Sequence, residues 1–472
     1  MATIFLTNAP YTLQERYGKL AAVGATLPCL GLLTLASSLR EAGHRVCLED
    51  ASATGLNEEA LLARARRCHP DIIGLTAVTP SISRTNALAI RMKESFPSTP
   101  IILGGPHVTA IPEGTLKACS AFDYAVIGEG EQTIVELVEA LAAGRTCPDV
   151  EGTLSRNNDS LYFCGPREPI RDLDTVPFPA WDLLQGFPNG YRPAIFKYKN
   201  LPSTHVVSAR GCPGKWMFCD TSVFGRQVRF HSPEYVLGLV EYLTNSFGMR
   251  EIIFEDDQFL LRTDRVAGIC EGLIKAKLPI SWSCSGRVNA VKDPGLLRLM
   301  KRSGCWLINY GIESGNQAIL DAAQKGITLE QIEKAVSMTH RAGIQSKGYF
   351  ILGLPGETEQ TIRNTVRFAK ALPLDDISVF MLTPFPGSHM YKIAGDHGTL
   401  NCEFDRMNIL DVVYTPKGLS KHQLTHYQHR FMKAFYVRPR ILGSYLDRLA
   451  QSPANIADMA KAAFGFFRHV FE

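Results

Sequence analysis

Over residues 1 to 150, short apolar runs alternate with stretches whose apolar positions recur at helical spacing, the pattern of a parallel sheet wound on both faces. Thr3 to Thr7, Arg45 to Glu49, Ile72 to Thr76, Ile101 to Leu103 and Tyr124 to Ile127 predict buried strands. Gly31 to Ala42, Glu58 to Arg67, Ser83 to Phe96 and Glu131 to Ala143 predict helices between or after them. From 151 to 200 the periodicity weakens. DLDTVPFPAWDLL (172 to 184) is richer in Trp, Phe and Leu than a solvated linker, so it predicts a connector packed on both neighbours. A second series then repeats strand and helix: Thr204 to Ala209, Glu251 to Asp257, Ile280 to Gly286, Trp306 to Ser314, Ser346 to Gly353 and Ile377 to Thr383. That spacing predicts a partial (β/α)6 barrel of the TIM type over 201 to 400. Residues 401 to 472 predict a helical, aromatic-rich C-terminal region. The fold class is α/β: a doubly wound Rossmann-like domain, a connector, a partial barrel and a helical tail.

Composition narrows the function classes. With 45% hydrophobic and 20% charged residues the chain is ordinary globular protein, and a net charge of +4 with no basic block argues against nucleic acid as a partner. The apolar stretch Leu27 to Leu39 is shorter than the roughly 18 to 20 residues that span a bilayer, and the N-terminus lacks the basic start of a signal peptide. The cytoplasm is the expected compartment. Twelve cysteines without a small-scaffold spacing suit reducing surroundings, so disulfides are not expected.

Polar and glycine-rich segments fall at the expected carboxyl ends of the first-domain strands, where such sheets bind ligands: Thr76 to Ser81, Gly104 to His107 and Gly128 to Glu131. Adjacent glycines at 104 and 105 serve either a tight turn or a ligand that must approach the backbone closely. ILGGPHVTAIPE (102 to 113) followed by YAVIGEGEQTIVEL (124 to 137) resembles the cobalamin-binding domain that is fused to radical S-adenosylmethionine (SAM) barrels. The resemblance implies cofactor contacts at Ser81, Gly104, Gly105, His107, Gly128 and Glu129. Related domains often carry D-x-H-x-x-G, whose His ligates cobalt from below. Here Asp50 to Gly55 puts Ser52 at that position, and a hydroxyl is a poor substitute for imidazole. Cobalamin is therefore expected without a protein His on its lower face, with His107, on another loop, as the rival ligand.

In the second half, FEDDQF (254 to 259), GIESGN (311 to 316), GLPGETEQT (353 to 361) and TPFPGS (383 to 388) extend the resemblance over roughly residues 1 to 440. It is to the type that includes anaerobic Mg-protoporphyrin monomethyl ester cyclases and hopanoid methylases. In that family a C-x3-C-x2-C loop holds three irons of a 4Fe-4S cluster and leaves the fourth open to SAM. The corresponding segment is GCPGKWMFC (211 to 219), with Trp216 between Cys212 and Cys219. The resemblance implies that Cys212 and Cys219 are cluster ligands and that Phe218, Glu313 and Gly353 contact SAM. For Asp256 and Asp257 a cavity-facing role and a rim or capping role stay open, as do SAM-carboxylate binding and a structural ion pair for Arg287.

Indole is only a hydrogen-bond donor and cannot replace a thiolate on iron. Three readings follow: a cluster with an unusual third ligand, Cys284 or Cys305 being candidates; a scaffold that has lost the cluster; or an altered residue in this sequence. The intact flanks favour retained function. The implied activity is cobalamin-dependent radical methylation of an unactivated carbon, or a related cyclisation or oxidation; the alternative is a cobalamin-binding protein without a functional cluster. The substrate would be a small molecule such as a tetrapyrrole, lipid or natural product, and a flavodoxin or ferredoxin would supply electrons. Phe464, Phe466, Phe467, Val470 and Phe471, beside Lys461 and Arg468, either dock on the barrel or form an apolar face toward a membrane or lipid-like substrate.

Overall fold

The computed structural model describes residues 1 to 444 other than 147, 159, 195 and 196. Five parallel strands form the first sheet: β1 (Thr3–Asn8), β2 (Arg45–Glu49), β3 (Ile72–Thr76), β4 (Ile101–Gly104) and β5 (Tyr124–Val126). Two antiparallel strands, β6 (Thr153–Asn157) and β7 (Ser160–Phe163), extend it to the order β2-β1-β3-β4-β5-β6-β7. The segment expected as connector thus begins as sheet. Because side chains alternate along a strand, Ile4, Leu6, Ile72 and Ile102 pack on the helices Leu30–Glu41 and Glu131–Ala142. Phe5, Ile73, Leu75 and Leu103 pack on Glu58–Cys68 and Ile82–Ser95 from the opposite face. Both faces are covered, which is why these strands read as continuous apolar runs.

Cys47 on β2 and Cys68 at the end of its helix are joined by a disulfide, with their Cα atoms 6.4 Å apart. This corrects the expectation of none. A separation of 21 residues carries no pairing signal; the contact arises because the helix doubles back onto the edge strand.

The second sheet is a six-stranded parallel half-barrel, ordered β15-β14-β13-β12-β11-β8. Its strands are β8 (Ser203–Val206), β11 (Glu251–Phe254), β12 (Ser281–Gly286), β13 (Cys305–Glu313), β14 (Gln345–Leu352) and β15 (Asp376–Met381); a short pair, β9 (Ala209–Arg210) and β10 (Arg229–Phe230), follows β8. Phe254, Trp282, Cys284, Ile308 and Tyr310 face the outer helices. The alternate positions, including Glu251, Ser281, Ser283 and Asn309, face the lumen and give it polar groups. The helix Lys421–Tyr436 covers the β15 edge: Gln428 donates to the Val379 carbonyl at 2.8 Å, and Tyr436 to that of Ile377 at 2.7 Å. The tail aromatics Phe464 to Phe471 lie outside the described residues. No helix among the described residues is long and apolar enough to cross a membrane.

A buried ionic network joins the two sheets. Arg210 donates to Glu131 at 2.5 Å and stands 3.6 Å from Glu129, while Arg229 pairs with Glu129 and donates to the Ile170 carbonyl at 2.6 Å. These side chains are 5 to 10% exposed. After β15, residues 398 to 416 return across the junction, and Phe404 meets the His107 ring edge-on, centroids 4.9 Å apart. Removing one partner of a buried ion pair typically costs about 3–5 kcal/mol. Arg229→Met is therefore expected to lower the unfolding free energy by about 3 kcal/mol, read by chemical denaturation; a loss below about 1 kcal/mol, the range of exposed pairs, would show that the network does not hold the domains.

Candidate functional site

The carboxyl ends of the two sheets open on one cavity of about 1030 Å³. From the first sheet it is lined by Thr76, Val78 to Ser81, Gly104 to Pro106 and Gly128 to Glu131; from the barrel side by His205, Gly211, Asp220, Thr221, Val223 to Gly225 and Asp257. Met407, Asn408 and Ile409 supply a wall from the returning segment. The adjacent glycines divide the work. A Cβ on Gly105, at φ 103°, would meet the Ala77 carbonyl oxygen at 2.6 Å, so only glycine fits that turn. A Cβ on Gly104 would meet nothing within 4 Å, which leaves open backbone on the cavity floor.

Of the residues marked from sequence, Ser81, Gly104, Gly105, Gly128 and Glu129 share this cavity, as does Ser52. The Glu129 carboxylate, however, is taken by Arg229 and the Ile170 N–H. His107 does not line the cavity. It is 2% exposed, its Nδ1 lies 3.2 Å from Thr79 Oγ1, and burial pushes its pKa down to about 4. The imidazole is committed to the wall behind the glycines and is not offered to cobalt. Asp50, its pKa raised by burial, accepts from Asn8 Nδ2 and the Cys29 N–H, both at 2.8 Å, and so shapes the Ser52 turn.

Several cavity residues escaped sequence reasoning: Tyr11, Arg16, Tyr17, Cys29, His205 and the 407 to 409 wall. Only His205 had a signal, its alternation on β8. Burial lowers its pKa to about 4, and its Nδ1 has no hydrogen-bond partner. Nearby, Lys197 Nζ stands 3.7 Å from Glu255 Oε1; Tyr349 and then Glu255 raise the Lys197 pKa.

Around the cysteine loop, Cys212 is buried and accepts a hydrogen bond from Gln258 Nε2 at 3.3 Å. The Cys219 thiol is pushed up to about 12, by burial first and then by the negative charge of Asp257. The Trp216 indole donates to the Lys325 carbonyl at 3.1 Å, with Lys325 Nζ 3.8 Å and the Arg287 guanidinium carbon 5.4 Å from its ring centroid. Lys325 also pairs with Glu313 at 2.8 Å, and Phe218 stacks on Trp216 at 6.2 Å. Gly353 follows β14 at φ 94°, its N–H donating to Glu357, while Leu354 packs with Met217. Phe218, Glu313 and Gly353 thus gather around the loop rather than the cavity. Cys284 and Cys305 are buried on the helix-facing side beside Cys270, which removes them as third ligands. Asp256 holds Ser208, accepting from its hydroxyl at 2.6 Å, whereas Asp257 faces the cavity.

An open glycine floor in a large cavity with apolar walls at Leu6, Leu32, Leu35 and Ile134 fits a corrin macrocycle. Two thiols and an indole do not fit the three-thiolate loop of a site-differentiated cluster.

Residues 19 to 138 match the B12 binding domain, and residues 206 to 369 match the radical SAM superfamily. An uncharacterised methyltransferase of Pyrococcus horikoshii is 34% identical over 424 residues, 89% of this chain and 90% of the relative. The chain belongs to the B12-binding radical SAM family. The anaerobic magnesium-protoporphyrin IX monomethyl ester cyclase of Rubrivivax gelatinosus is another similar member, 30% identical over 89% of this chain and 76% of its own length. Among solved structures, the cobalamin-dependent SAM radical enzyme OxsB superposes with a TM-score of 0.74 at 18% identity, covering 96% of this chain and 72% of OxsB. The radical SAM methyltransferase TsrM from Kitasatospora setae gives 0.72 at 16%, covering 93% and 90%. At those identities the likeness is one of fold.

Glu357, which accepts from the Gly353 N–H, has its carboxyl raised to about 8 by burial, and its Oε1 has no partner. The folded chain therefore holds this proton more tightly than the unfolded one does. Its stabilising contribution is complete below about pH 4.5 and is lost as the pH rises to about 8. Glu357→Gln is expected to flatten that decline in urea midpoints measured across the interval; an unchanged slope would contradict the assignment.

Proposed function

We propose that this chain is a cobalamin-dependent radical SAM enzyme that methylates an unactivated carbon of a small molecule, with ring formation or oxidation as variants. The observation that carries the reading is the single cavity on which both sets of strand ends open. Gly104, Gly105, Gly128 and Ser81 would hold the corrin, and bound cobalamin would supply the methyl group. Leu6, Leu32, Leu35 and Ile134 would exclude water from the bound group. His205, with Lys197, Glu255 and Tyr349 close by, gives the lumen polar groups that can orient a substrate carrying hydroxyl, carbonyl or carboxyl functions. Relatives named as a tetrapyrrole cyclase and as bacteriochlorophyllide and cytidylyl-2-hydroxyethylphosphonate methyltransferases support a substrate of tetrapyrrole or natural-product type. We place the enzyme in the cytoplasm, with a flavodoxin or ferredoxin as electron donor.

Trp216 favours a second reading, a cobalamin-binding protein without radical chemistry. Anaerobically reconstituted protein decides between them: the first expects cobalt, about four irons per chain and 5'-deoxyadenosine from SAM, and the second expects cobalt alone. A gain of iron confined to Trp216→Cys would identify the native loop as degenerate. Gly104→Leu, which fills the cavity floor, is expected to weaken hydroxocobalamin binding at least about tenfold, or about 1.4 kcal/mol, in an absorbance titration. Undiminished binding in that variant would move the corrin elsewhere.

A further inference from the structure

Because side chains alternate along a strand, Arg45, Cys47 and Glu49 of β2 share one face. On the helix Glu58–Cys68, Arg64, Arg67 and Cys68 fall on one stripe, three and four residues apart. β2 is the outermost strand of its sheet, so these two faces meet at an open edge, with Leu183 and Gln185 of the connector completing the enclosure. Between them lies a second cavity of about 430 Å³, which shares no lining residue with the large chamber. Its volume falls within the roughly 300 to 1,000 Å³ typical of small-molecule sites. The Cys47–Cys68 disulfide forms part of its wall. Three arginines line it against one carboxylate. Arg64 donates to Glu49 Oε2 and to Gln185 Oε1, each at 2.6 Å, which occupies the acid. Arg45 and Arg67 are exposed, and among the described residues neither pairs with a carboxylate.

We propose that this cavity is a thiol-exchange site, in which a low-molecular-weight thiol bearing carboxylates docks on Arg45 and Arg67 and reduces the Cys47–Cys68 bond. The inference does not depend on the radical reading. A thiolate is the attacking species in disulfide exchange, and cations around a partly exposed sulfur favour both its approach and the departing thiolate. Cys47 is half-buried and Cys68 is buried, so the attack falls on the Cys47 sulfur. A bond forms from the incoming sulfur to Cys47 as the Cys47–Cys68 bond breaks, and Cys68 leaves with the electron pair and takes up a proton. A second thiolate then attacks the docked sulfur, which departs as the small-molecule disulfide and returns Cys47 as a thiol. Two small thiols are oxidised for each protein disulfide reduced. The carboxylates of the thiol supply the counter-charge that Arg45 and Arg67 lack within the chain.

The test treats the oxidised, folded protein at low ionic strength with mercaptosuccinate, neutral 2-mercaptoethanol or cationic cysteamine at matched thiolate concentrations. Release of the Cys47 and Cys68 thiols is followed by alkylation and peptide mapping, and circular dichroism reports folding. Mercaptosuccinate is expected to open the bond roughly tenfold faster than 2-mercaptoethanol, with cysteamine slowest, because a cleft of one charge sign concentrates the opposite ion. Added salt is expected to shrink that difference. The double variant Arg45→Gln, Arg67→Gln is expected to lose the preference, whereas Arg66→Gln, exposed on the same helix but outside the cavity, keeps it. Comparing native and variant rates for each thiol cancels the intrinsic nucleophilicities of the thiols. An undiminished preference in the double variant overturns the proposal, as does a bond that opens only after denaturation or a cysteine pair that oxidising buffer leaves unjoined.

Discussion

Glu129, Glu131, Arg210 and Arg229 are charges that the fold removes from water, and buried charges persist only when they meet. The two acids follow β5 and the two arginines flank the loop after β8, so satisfying them brings both carboxyl rims together. The cavity is a consequence of that pairing. GEGE therefore serves twice: its glycines leave room at the rim, and its acids dock the barrel. A ligand motif in one domain is also the ionic key to the other, which explains why Glu129 looks like a cofactor contact in sequence while its oxygens belong to Arg229.

The fold was legible because its signals are local. Strand positions from β1 to β5 and the six barrel strands follow from apolar runs and their spacing, and helix boundaries agree to within a residue or two at Leu30–Glu41, Glu58–Cys68, Ile82–Ser95 and Glu131–Ala142. What was not legible arises from distance in sequence. The Cys47–Cys68 bond, the seating of Phe404 on His107 and the wall at Met407 to Ile409 join segments whose own patterns say nothing about one another. His107 shows the limit of motif reading, because the glycines of GGPH line the cavity while its imidazole turns inward to Thr79. The β6–β7 hairpin was missed for another reason: β6 buries Thr153 and Ser155 around a lone Leu154, and β7 is an exposed edge strand, so neither shows the unbroken apolar run of a buried strand.

Trp216 shows how an indole is seated in this loop. Two cations, Lys325 and Arg287, lie near its ring, and its one donor finds a backbone carbonyl. Cys212 of the same loop is buried and accepts from Gln258. Packing at this position is satisfied whether or not the metal chemistry is, so backbone shape there is no measure of donor content.

The returning segment has a temporal corollary. Domains emerge and fold from the N-terminus during synthesis, and Met407 to Ile409 leave the ribosome after both sheets are complete. Until they arrive, the chamber lacks a side. The cavity is thus finished by the last segment of the barrel domain, so its completion draws on residues from both halves of the chain.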